Sequence, residues 1–240
     1  MNKNELILLK QTEITIKKYY KEYNIFMNIP FNMPQFQINY RKASKDTFAN
    51  VKETDSKFVL TVDPLLCKTP FAKPTLYHEF THIYDHIIMN QLGIHQSYIY
   101  HVYTEYHASQ IEMMAEFNLS MPFGVINNNI NHKLIRDRLL NEKSDFIKRV
   151  SSLNLFTTKG FSKSIDWFCY YIGKTNVLLH YFNEYNNVLL DLDEFINTFG
   201  NEIIYLQKAL FQSDTINISV EDIVNIADQH LMLVKKFNPQ

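Results

Sequence analysis

His78-Glu79-Phe80-Thr81-His82 constrains this chain more tightly than any other stretch of it. Two histidines four residues apart share a side of an α-helix, about 40° apart around the axis and one turn along it. No Pro or Gly interrupts residues 75–89, and Leu76, Phe80, Ile83 and Ile87 recur at helical spacing on the face away from the histidines. Thr69-Pro70 and Pro74-Thr75 supply start signals just upstream. The sequence therefore predicts a helix that offers two imidazoles to one tetrahedral Zn²⁺ and sets the Glu79 carboxylate beside them. A carboxylate next to a metal-activated water is what a hydrolytic general base requires. The residues point to a zinc-dependent hydrolase of one ion, a peptidase before other hydrolases.

Glu105, 23 residues beyond His82, is the candidate third ligand. It opens a second helical run, Tyr103 to Phe117, on which Ala108 and Ser109 share its face at i+3 and i+4. Small residues there let this helix approach the histidine helix closely enough for a short carboxylate arm. The alternative is a solvated acid favoured by the helix dipole. His86, one turn past His82, is expected as a surface or supporting histidine. His95, after Gly93, is a competing third ligand, although its spacing is too long for the three-histidine pattern. His101 and His107 flank Glu105, and Asp85 is placed either to hold an imidazole N–H or to face solvent.

A helix with H-E-x-x-H, then a helix carrying Glu105-x-x-Ala108 and a later Met121-Pro122, resembles the ImmA/IrrE-like metallopeptidases of phages and bacterial mobile elements, which are gluzincin-type zincins. The resemblance covers roughly residues 36 to 123. It implies zinc held by His78, His82 and Glu105, Glu79 as the base, and a protein substrate. Ile111-Glu112 and Asn118-Leu119-Ser120 stand where that family has aromatic-Ala pairs and Leu-Leu.

Composition narrows the partners. A net charge of −1 and a pI near 6.8 give no electrostatic case for nucleic acid or an anionic membrane. Leu6-Ile7-Leu8-Leu9 is too short for a signal core, and no apolar run approaches a membrane span. Cys67 and Cys169, far apart and outside any C-x-x-C, predict unpaired thiols in a reducing cytoplasm and no cysteine nucleophile.

The expected fold class is α+β and mostly helical: a zincin-like core with a small three-stranded sheet and the H-E-x-x-H helix, followed by a helical subdomain. The core with its N-terminal helix spans residues 1–124, the helical subdomain residues 125–240. A helix over 4–27 places Leu6, Leu9, Ile16, Tyr20 and Tyr23 near one stripe. Strand-forming runs follow at Phe36–Tyr40, Thr47–Val51 and Lys57–Val62. The last of these, just before the metal helix, is expected at a sheet edge, where an extended peptide could pair with it. Helices are expected over 131–152, Ser162–Phe182, Asp191–Phe199, Asn201–Phe211 and Val220–Phe237, with Ser219 as the N-cap of the last. An oxyanion donor is sought among Tyr84, Tyr100, Tyr103, Tyr106, His101 and His107. Two other functions fit the same sequence: a zinc-stabilised, non-catalytic binding or regulatory module of a phage or mobile element, and a helical interaction protein carrying the motif by chance.

Overall fold

The computed structural model describes residues 3–43, 48–54, 57–119, 132–181, 193–213 and 218–238. They are mostly helical with one small three-stranded sheet, an α+β composition. The chain divides into two compact units, Met1–Ile87 with Ile111–Val125, and Ile88–Gln110 with Ile126–Gln240. Met121-Pro122 lies outside the described residues.

The first unit opens with α1, Lys3–Phe26, which buries Thr12, Ile16 and Tyr23, while Leu6 of the expected stripe stays exposed. β1 (Phe36–Tyr40), β2 (Ala49–Thr54) and β3 (Lys57–Val62) follow. The strand order is β1-β3-β2, with β1 parallel and β2 antiparallel to β3. This corrects one expectation: the strand nearest the H-E-x-x-H helix in sequence is central, and the edge strands are β1 and β2. The alternation that predicted β3 explains its place, since Phe58, Leu60 and Val62 are all buried and both of its sides carry ladder partners.

A turn held by Asp63, whose carboxylate accepts from the Ala43 and Leu65 amides, leads through the short 3₁₀ turn Leu66–Lys68 into α2, Ala72–Gln91. α2 starts three residues before the sequence estimate, because Pro74 sits in the first turn, where its missing N–H costs nothing. Leu76, Phe80 and Ile83 are fully buried. Edge-to-face ring pairs Tyr20–Phe80 at 4.8 Å and Tyr23–Tyr77 at 5.3 Å lock α1 to α2, and Tyr23 Oη donates to Thr81 Oγ1 at 3.2 Å. Gly93, at φ 79°, ends α2 with the Ile94 amide returning to the Met89 carbonyl. The chain then enters α3, Ser97–Glu116.

The second unit contains the end of α2 and most of α3 together with α4 (His132–Val150), α5 (Thr158–Tyr181), α6 (Asp193–Phe199), α7 (Glu202–Gln212) and α8 (Val220–Phe237). Its core is aromatic: Phe195 stacks on Phe146 at 4.4 Å and on Tyr171 at 5.2 Å, with Phe168 and Phe199 against the same cluster. Gly173 lets α5 cross α3 closely, since a Cβ there would lie 2.4 Å from the Tyr106 carbonyl oxygen and 2.9 Å from Ser109 Cβ. Ser219 caps α8 as the sequence predicts, in a reciprocal box with Asp222. Among the described residues no helix is long and apolar enough to cross a membrane.

Candidate metal centre

One ligand atom from each of His78, His82 and Glu105 lies within 4.8 Å of the others. The two histidines come from adjacent turns of α2, with ring centroids 4.9 Å apart and planes at 81°. Glu105 comes from the third turn of α3. Ala108 and Ser109 are completely buried one turn beyond Glu105, and the Ser109 Cβ lies on the side of α3 that meets Gly173 of α5. Ser109 Oγ donates back to the Glu105 carbonyl at 2.8 Å, which satisfies its hydroxyl. Two imidazoles and a carboxylate in this spacing are a donor set that suits Zn²⁺ with one coordination position left for another ligand. Among the described residues no other group of histidine, cysteine and acidic side chains converges in this way.

Glu79 is buried at 8 % exposure, and its Oε2 accepts the Val51 amide of edge strand β2 at 2.6 Å. In an antiparallel edge strand alternate residues turn N–H and C=O away from the sheet, so Val51 can reach α2 without breaking the β2–β3 ladder. The carboxylate is thereby fixed in direction. Beside His78 stands an acid that sequence reasoning missed: Glu112 Oε2 lies 3.4 Å from its Nδ1. Glu112 stands seven residues after Glu105, two turns along the same face of α3, and that spacing was the signal available. For Asp85 the sequence allows either a supporting role or the surface. It is 1 % exposed, which excludes the surface, and its charge helps raise the hydroxyl pKa values of Tyr23 and Tyr84, for which burial is the larger cause.

The remaining candidates lie elsewhere. His86 contacts Glu53 at 3.3 Å and the Phe58 ring at 5.3 Å. His95 is exposed and bonded to Asn90 at 3.0 Å. His107 is fully buried against Tyr103. Tyr84, Tyr100, Tyr103 and Tyr106 are all buried, and Tyr106 Oη accepts from Gln110 at 3.0 Å and from Asn176. His101 is different: it is 43 % exposed, its Nε2 is 3.0 Å from Asp166 Oδ1 on α5, and its Nδ1 is 3.9 Å from Glu105 Oε1. The Asp166 bond, and more weakly the two nearby carboxylate charges, raise the His101 pKa against the opposing effect of burial. Nothing in the sequence links positions 101 and 166, so Asp166 was invisible there. Both thiols are free, and burial pushes Cys67 up to about 11 and raises Cys169 well above the ordinary thiol value, which keeps them protonated.

Compared with models of protein families, with curated proteins and with solved structures, the chain matches none.

Proposed function

We propose that the protein is a zinc-dependent hydrolase, a metallopeptidase acting on a protein or peptide substrate, with His78, His82 and Glu105 as ligands and Glu79 as general base. The observation that carries this reading is the convergence of those three side chains beside a H-E-x-x-H carboxylate. A zinc ion held there would supply Lewis acidity, lowering the pKa of water toward about 7 and polarising a scissile carbonyl. Glu79 takes the proton of the attacking water and passes it to the departing amine. The Val51 amide keeps that carboxylate aimed during the transfer, and Glu112 keeps the His78 ring in its ligating orientation. The zincin-like character of the core and an ancestry among phage or mobile-element peptidases belong to this proposal.

The zinc-stabilised binding module is the second reading. The engagement of Glu79 by the β2 backbone favours it, because the same bond serves a purely structural tie between sheet and helix. Glu79→Gln separates the two readings. Zinc content is measured in both proteins, and both are incubated with a denatured proteome whose new termini are read by mass spectrometry. The hydrolase reading expects unchanged zinc and cleavage reduced by about 10²-fold or more. Cleavage equal in the two proteins, or cleavage surviving zinc removal, contradicts it.

A further inference from the structure

A cleft of about 280 Å³ opens in the second unit, walled by Phe161 and Ile165 of α5, Val234 and His230 of α8, and His101 with Asp166. Its place is informative: His101 precedes Glu105 by one turn of α3, so the polar wall of the cleft and the candidate third ligand stand on the same helical face. Its size is informative too. Sites for whole small molecules run to roughly 300–1,000 Å³, so this cleft suits a single side chain or a fragment of that size.

The chemistry of the walls selects the occupant. The His230 ring stacks on Phe161, with centroids 6.0 Å apart and planes at 16°, and burial together with the nearby His101 pulls its pKa down to about 4, so it stays neutral near pH 7. Phe161, Ile165 and Val234 complete an apolar lining. The carboxylates of Asp166 and Glu105 flank His101 at 3.0 and 3.9 Å and oppose an acidic guest, while Asp166, the one carboxylate of the lining, is already engaged by His101 and Phe161, Ile165 and Val234 offer a basic guest no acceptor. The two ring nitrogens of His101 face those two carboxylates, so Ser162 on the rim is not activated by it as a nucleophile.

We propose that this cleft is a binding pocket for a neutral apolar side chain, aromatic or branched aliphatic, of the peptide substrate. The word substrate rests on the hydrolase reading; the pocket and its preference do not. The test uses the full chain stripped of metal, with N-acetyl-phenylalaninamide, N-acetyl-leucinamide, N-acetyl-lysinamide and N-acetyl-glutamic acid amide as probes. The imidazole Cε1–H resonances of His101 and His230 report binding by NMR. Saturable shifts at both resonances are expected for the phenylalanine and leucine probes, about fivefold or more larger than for the charged ones at equal concentration. Ser162→Trp, at an exposed rim position, abolishes those shifts, and Thr158→Trp, on the same rim, does so independently should the first variant misfold. An unmoved His230 resonance with the apolar probes, equal shifts from all four, or full binding in both rim variants overturns the pocket. Because no metal and no turnover enter this assay, its failure leaves the Glu79→Gln result standing. Failure of cleavage with binding retained leaves a pocket of the stated chemistry.

Discussion

Glu112 carries the clearest consequence for a single residue. Its Oε2 lies 3.4 Å from His78 Nδ1, close enough to restrain the ring of a candidate ligand. Outer partners of this kind are worth about 10–100-fold in metal affinity. Glu112→Ala is therefore expected to weaken zinc binding by that factor in a chelator competition, with the helical signal in circular dichroism unchanged; an unaltered affinity removes the role. His230 makes a prediction of a different kind. Unfolded, its ring ionises near 6.5; folded, it ionises near 4 because of burial and the neighbouring His101. Between those values the unfolded chain binds more protons, so the stability His230 contributes is complete above pH 6.5 and is lost as the pH falls through 4. Melting temperatures measured from pH 7 to 4 are expected to fall more steeply for the native protein than for His230→Gln. Parallel curves contradict the shift.

For the elements, legibility in the sequence follows from how much each depends on its own residues. β1, β3 and α8 begin and end where the sequence puts them: the strands alternate and stop at turn residues, and α8 has a serine cap with acids in its first turn. β2 runs to Thr54 because pairing with β3 extends it beyond the apolar stretch that was readable. The start of α3 is the largest difference. Ser97 to Val102 is rich in tyrosine, isoleucine and valine, types with little helical preference, and the burial of Tyr100 and Val102 overrides that preference. The α3–α5 crossing was illegible, since it rests on Gly173 meeting a backbone 67 residues earlier. Gly173→Ala adds a methyl 2.4 Å from the Tyr106 carbonyl oxygen, and the helices must separate to admit it. Overpacking of this kind costs about 1–3 kcal/mol, more than alanine gains in helix propensity. Urea unfolding is expected to show a net loss of stability, and a gain would refute the close crossing.

Across the whole molecule, the sequence pointed to His78 and His82 of the candidate centre because their spacing repeats the helix period, and to Glu105 through the small residues that share its face of α3. It was silent on what surrounds them: the edge-strand amide on Glu79 and the α5 aspartate on His101 come from distant chain positions that no local pattern connects. The periodicity that suggested a mostly helical chain with a small sheet agrees with the observed elements. A pI near 6.8 means that the proposed zinc binding depends on the local donors and not on a general acidic field. The account therefore turns on whether three side chains act as one ligand set. A zinc titration of the metal-free chain against a chromophoric chelator, repeated with His82→Ala and Glu105→Ala, decides this most directly. The predicted result is one ion per chain, with each substitution costing more than the ~10–100-fold of an outer partner. Absence of saturable binding, or an affinity indifferent to Glu105, would contradict it.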